Sequence, residues 1–177
     1  MKKTMILAAL PLFSALLTGC SAGRIQERSY LLALAVNGEA GKTLTFAFYT
    51  EDRTVTAEGE SMTSARNSAG LKNGKEIFTG YTELVIVDGA DCRDLLEEML
   101  NSWKVSPSCK VVYSRAVREL LESTGAEKLI GITEQAVKQG VAPECDIITI
   151  LGELYRYGSA EVAELYPDGN AGRHIIT

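Results

Sequence analysis

The chain has 177 residues, with 18 Lys and Arg against 23 Asp and Glu, a formal net charge of −5 at pH 7 and 46% hydrophobic residues. An acidic surface has no electrostatic route to phosphate backbones, and no basic patch interleaved with aromatics occurs, so nucleic acid is excluded as a partner. The length suits one domain with a sizeable core and is too short for two lobes closed around a solute.

Lys2 and Lys3 precede an uncharged run, TMILAALPLFSALL from Thr4 to Leu17, and small residues follow it. This is the layout of an export signal. As a helix the run rises about 21 Å, short of the roughly 30 Å hydrocarbon core, and Pro11 interrupts it; a permanent span is disfavoured. The ending Leu17-Thr18-Gly19-Cys20 resembles the bacterial lipobox, in which the cysteine sulfur takes a diacylglycerol as a thioether and a peptidase cuts before the cysteine. An ordinary cysteine in a cleaved signal is the competing reading. The resemblance implies a lipoprotein signal peptide over residues 1–19, a lipidated Cys20 opening a short tether over residues 20–29, and a location on the extracytoplasmic face. Two chains of about fourteen buried CH₂ groups, at ~0.8 kcal/mol per group, give an anchor on the order of 20 kcal/mol. Losing Lys2 and Lys3 takes the net charge of the remaining 158 residues to −7. Anionic headgroups repel such a domain as a whole, so membrane residence is expected to come from the lipid.

Residues 30–177 read as a single α+β domain, a mixed β-sheet with helices packed on it. YLLALAVNG reads as a buried strand, and KTLTFAFYT as a second with Leu44, Phe46 and Phe48 on one side; NGEAG closes them as a hairpin. EDRTVTAEGE is a loop or a weak edge strand. A helix starts at Ser61 and runs through MTSARNSAGLK, weak in propensity for its Ser, Thr and Asn. ELVIVDG is a continuous apolar strand. Asp91 followed by Asp94 reads as an N-cap, and Leu95, Leu96, Met99, Leu100 and Trp103 form one apolar helical stripe. CKVVYS is the next strand, so strand, helix and strand form a right-handed parallel crossover. A helix starts near Arg115 with Leu120 and Leu121. TEQAVKQG and CDIITILGELYRYG are two further helical patterns, and HIIT at the end is strand-like.

Chemistry is sparse in this pattern. Three cysteines follow Cys20, namely Cys92, Cys109 and Cys145. An odd number outside the cytoplasm leaves at least one thiol free. One bridge among the three has three choices that spacing does not select, and reduced or half-paired thiols are the favoured reading. No Cys-x-x-Cys exists and His174 is the sole histidine, which argues against a metal or any cofactor beyond the covalent diacylglycerol. His174 lies in GNAGRHIIT and is expected in an exposed loop. Glu58, Glu60 and Glu83 are candidate carboxylates for glycosidase chemistry, but nothing singles out a pair. No Gly-x-Ser-x-Gly elbow and no phosphate-cradling glycine loop occurs, so an enzyme is disfavoured.

The order of features resembles the N-terminal domain of the spore-germination receptor C-subunit lipoproteins, the Ger(x)C family. The lipobox is followed by YLLALAVNG and a second strand, then the Ser/Ala helix SMTSARNSAG, the group KEIFTGYTELVIVDG and the stretch CRDLLEEMLNSWKVSPSCKVVYS. The tail QAVKQGVAPECDIITILGELYRYGSAEVAELYPDG fits the end of that domain, where a helix leads to a Pro-containing strand. In the family a Gly-His pair precedes the central strand; Gly80 matches the glycine and Tyr81 replaces the histidine. Trp103 and Lys104 stand where Arg-Asp is expected, with Ser106-Pro107-Ser108 following. Family members continue into C-terminal domains, so this chain is either a single-domain relative or the first part of a longer protein. The resemblance implies a lipid-anchored, non-catalytic subunit at the outer face of the spore inner membrane, assembled with integral-membrane and other germinant-receptor subunits. The alternatives are a generic envelope lipoprotein acting as a binding module and a lipoprotein hydrolase using Glu58 or Glu60.

Overall fold

The computed structural model describes residues 27–38, 43–89 and 91–177. The described residues form one mixed sheet of eight strands with five helices, the α+β architecture expected. The strands are β1 (Arg28–Asn37), β2 (Thr43–Phe48), β3 (Thr54–Glu58), β4 (Glu76–Phe78), β5 (Leu84–Val87), β6 (Lys110–Tyr113), β7 (Ala160–Leu165) and β8 (Ala171–Ile176). The helices are α1 (Met62–Asn73), α2 (Cys92–Asn101), α3 (Val117–Thr124), α4 (Ala126–Lys138) and α5 (Ile147–Tyr157).

The main path runs β3-β2-β1-β5-β6-β7-β8. β1, β5, β6 and β7 are parallel, while β2, β3 and β8 add antiparallel flanks. The four parallel strands follow one another in space as in sequence. Right-handed crossovers taken always in one direction put their helices on one face of a sheet. α1 and α2 touch through the Thr63 hydroxyl and Glu98, and α2 packs on α5. α3 and α4, both inside the long β6–β7 connection, pack instead on β1, β2 and β6 to β8. This second pair covers the face that the crossovers leave bare. Every residue of Leu84–Val87 and of residues 31–36 is accordingly buried, as two-sided coverage demands.

Local chemistry sets the element ends. α1 is a poor helix by composition, yet Ser61 and Ser64 form a reciprocal capping box and Gly74 closes the other end in the left-handed conformation. Its buried face is Met62, Ala65, Ala69 and Asn73, small enough for close approach to the sheet. Asn73 donates to Ser29 at 2.7 Å and accepts from Arg53 at 3.0 Å, which ties the end of α1 to β1. α2 buries Leu95, Leu96 and Met99 of the expected stripe together with Cys92; Leu100 is half-buried, and the buried Trp103 lies beyond the helix end at Asn101. Asp91 does stand at its N-cap, but at φ 44° it makes no side-chain capping bond. Such bonds come from an extended cap residue, and the Asp88–Gly89 turn delivers the chain in another conformation. Asp146 at the start of α5 is extended and accepts from the Thr149 amide at 3.0 Å and its hydroxyl at 2.8 Å. Gly125, at φ 83°, separates α3 from α4, so the helix expected over TEQAVKQG starts seven residues earlier, at Ala126.

β4 is the least regular part. It pairs in parallel with the first three residues of β1, and β5 pairs with Ala33 to Val36 further along the same strand. Between them residues 79–83 loop out, and the Glu83 amide re-enters by donating to the Leu32 carbonyl at 2.9 Å. The register of β1 against β2 shifts at the same level, between Leu31 and Ala33. Among the described residues no helix is long and apolar enough to cross a membrane.

Candidate functional site

The loop between β4 and β5, residues 79–83, carries Gly80 and Tyr81. Thr79 and Thr82 are buried, and both the amide and the hydroxyl of Thr82 donate to the Thr79 carbonyl, at 3.1 and 2.7 Å. The Thr79 hydroxyl donates to the carbonyl of Trp103, which locks the loop onto the end of α2. Gly80 lies flat against the Phe78 ring, and a Cβ there would meet Phe78 Cζ at 2.9 Å. Glycine is needed for that approach rather than for an unusual φ, since Gly80 is not among the residues with positive φ.

Three aromatic rings meet around the loop. Tyr81 stacks on Tyr30 with centroids 5.8 Å apart and meets Phe78 edge-on at 5.3 Å. Tyr30 meets Phe78 edge-on at 5.5 Å, and the Arg28 guanidinium lies 5.8 Å above the Phe78 ring. Pairs of this kind contribute about 0.5–1.5 kcal/mol each beyond the area they bury. Tyr81 nonetheless keeps 60% of its surface exposed. The Tyr49 hydroxyl donates to the Glu83 carboxylate and lies 3.2 Å from the Tyr81 carbonyl oxygen. Burial, reinforced by that carboxylate, pushes the Tyr49 phenol well above its usual range. Beneath the loop an open hollow is lined by Tyr49, Glu83, Lys110, Ile130 and Glu134.

Trp103 is a core residue at 2% exposure. It stacks parallel to Phe46 at 6.4 Å beneath the Arg66 guanidinium at 5.1 Å. Its indole Nε1–H has no hydrogen-bond partner among the described residues.

Cys92, Cys109 and Cys145 are all buried with free thiols. Burial, with Asp88 and Asp91 adding, pushes the Cys92 thiol up to about 12. Burial also pushes Cys145 up to about 11, against the opposing pull of Lys110. Cys109 is raised by burial and by Glu83. None of them carries thiolate at neutral pH, which is the form that attacks or ligates. Cys109 and Cys145 flank the single bridge between Lys110 and Asp146, so they are neighbours, whereas Cys92 belongs to the start of α2. Among the described residues no group of three or more His, Cys, Asp or Glu side chains converges on a point.

The carboxylates Glu58 and Glu60 are exposed at the end of β3 and just before α1, and Glu83 lies apart beside Tyr49. The expectation of His174 in an exposed loop is wrong. It sits on β8, half-buried, with its ring parallel to Tyr113 at 3.5 Å between centroids. Its Nδ1 is 3.8 Å from the buried Glu164 carboxylate, which also lies against the Tyr166 hydroxyl and raises it. The strand-like HIIT pattern extends back to Ala171 in β8, which pairs with β7 through six partners and so places His174 on the sheet.

Cys20 and the Leu17, Thr18 and Gly19 that precede it lie outside the described residues, as does most of the 20–29 tether. Comparison with family models, with curated proteins and with solved structures returns no match.

Proposed function

We propose that this chain is a lipid-anchored, non-catalytic subunit of a membrane germinant-receptor complex. Diacylglycerol on Cys20 holds it to the outer face of the membrane, the spore inner membrane in the germination setting. The observation that carries the reading is a conjunction in sequence order. A lipobox-like Leu17-Thr18-Gly19-Cys20 stands eight residues before β1, and the Ser/Ala helix, Gly80 turn and central strand follow in the order of the Ger(x)C N-terminal domain. The geometry is compatible with a protein that works by surface contact. The thiols are buried and protonated, the candidate carboxylates are dispersed, and the organised exposed feature is an aromatic turn.

Confinement to a membrane plane raises the effective concentration of such a module beside membrane partners without new contacts. Two measurements test the reading together. Mild detergent extraction followed by affinity capture of the full chain is expected to recover an integral-membrane subunit, and deletion is expected to abolish germination triggered by a nutrient. Recovery of no membrane-embedded partner, with nutrient response intact after deletion, rejects it in favour of an envelope lipoprotein of unrelated role.

A further inference from the structure

The aromatic turn lies at one particular end of the domain. β1 starts at Arg28, and the loop packs on its first residues through Tyr30 and Phe78. The sequence from Cys20 to Arg28 is eight residues, which span at most about 28 Å when fully extended. A lipid on Cys20 therefore keeps this end of the sheet within that distance of the bilayer. The opposite end, at Asn37, is about 30 Å further along β1, at ~3.3 Å per residue.

The surface at the near end has the composition of an interfacial belt. Tyr81 is 60% exposed and Leu71, in the last turn of α1 just before β4, is 86% exposed. Of its carboxylates, Glu76 is engaged by Arg28, Glu83 by Tyr49 and Glu51 by Ser29 and Arg53, while Glu27 and Asp52 are exposed and form no ion pair among the described residues. Lys75 and Lys104, beside Glu76 and Gly80, are exposed and form no ion pair among the described residues. Rings with an apolar body and a polar tip, flanked by free ammonium groups, are what the headgroup level of a bilayer accommodates. The whole domain is acidic, and at this end the free Lys75 and Lys104 are matched by Glu27 and Asp52; screening confines these charges to about 8 Å at physiological salt, so the exposed Tyr81 and Leu71 rather than net charge carry the contact.

Resting on the lipid-anchor reading above, we infer that the end of the domain bearing Tyr81, Leu71, Lys75 and Lys104 is its membrane-facing surface, seated against lipid headgroups. The lipid thus orients the domain as well as tethering it. The far ends of the parallel strands, with Asn37 and the start of α3, are turned outward and left free for protein partners.

The test is depth-dependent quenching. The full chain is made with its lipid and reconstituted into phosphatidylcholine–phosphatidylglycerol vesicles whose acyl chains carry bromine near the headgroup. Tyr81→Trp places an indole at the near end. Glu119→Trp places one at the far end, on an exposed position beside the hollow that Asn37 borders. The signal of the buried Trp103 is subtracted using the parent protein. The indole at position 81 is expected to be quenched at least about twofold more than that at position 119. Vesicle-bound protein with equal quenching at both positions overturns the orientation and leaves the anchor standing. Protein that does not float with the vesicles overturns the anchor reading, and the orientation falls with it.

Discussion

Gly59→Ala is a sharp test of how α1 meets the sheet. Gly59 lies between the end of β3 and the N-cap Ser61. A Cβ there would fall 2.3 Å from Ser64 Oγ, 2.4 Å from the Ala65 amide nitrogen and 2.9 Å from the Ser64 carbonyl carbon. Two of these are backbone atoms, so no rotamer change relieves the contact; the first turn of α1 must move by about 1 Å, since contacts between such atoms settle near 3.5 Å. Ala65 and Ala69 are fully buried against the sheet and oppose that movement. Overpacking costs about 1–3 kcal/mol, and loss of the Ser61–Ser64 capping box adds about 1 kcal/mol. The sum is roughly 2–4 kcal/mol, or a fall of about 5–15 °C in Tm for a domain of this size. Urea unfolding followed by far-UV circular dichroism measures it directly. Gly131→Ala in α4 and Gly152→Ala in α5 are the controls. Both glycines are exposed on helices with nothing near the new methyl, so each change is expected to stabilise by about 0.5–1 kcal/mol. A Gly59→Ala protein within about 0.5 kcal/mol of the parent, well under the overpacking range, refutes the close approach.

Trp103→Phe removes an indole N–H that is buried without a partner, a deficit of about 1–3 kcal/mol, while the ring stack on Phe46 persists. It is expected to stay within about 1 kcal/mol of the parent, whereas Trp103→Ala costs about 3–5 kcal/mol, both by urea titration. Asp146→Ala is expected to cost about 1 kcal/mol at pH 7 through loss of the α5 cap. Burial works to raise the Asp146 carboxyl, but hydrogen bonds from Thr149 outweigh it and hold it below its usual range. The unfolded chain therefore binds the proton more readily, and the contribution is present above the unfolded value near 3.9 and is lost as pH falls through the lower folded value. The gap between Asp146→Ala and parent should close in acid, and a gap that widens there contradicts the assignment. The thiols at positions 92, 109 and 145 should not react with a disulfide reagent at pH 8 until the protein is unfolded; rapid labelling of the native chain would contradict their burial.

The elements legible in the sequence are those whose signal lies within a few residues. Alternation in KTLTFAFYT, the apolar run ELVIVDG, the stripe from Leu95 to Trp103 and the Ser61 start of α1 each correspond to an observed element. Hydrophobic periodicity and capping are local, so the sequence alone carries them. The same locality accounts for the parallel β5-α2-β6 unit, whose connection is too long for a hairpin.

Other features arise only when distant segments meet. β4 is three residues that pair because the start of β1, ahead of its pairing with β5, leaves an open edge. β7 is AEVAEL, rich in residues that disfavour strands, and it is a strand because β6 and β8 lie on either side. His174 becomes a half-buried ring on Tyr113 by the same pairing. The aromatic group of Tyr30, Phe78 and Tyr81 joins residues about fifty positions apart, and no window of sequence contains it. Sequence by itself determined the apolar faces, the Ser61 cap and the lipobox-like cysteine, because each depends on neighbours along the chain. Tertiary structure alone decided β4, the burial of the thiols and the clustering of Tyr81 with the half-buried Tyr30 and Phe78, because each depends on which distant segments meet.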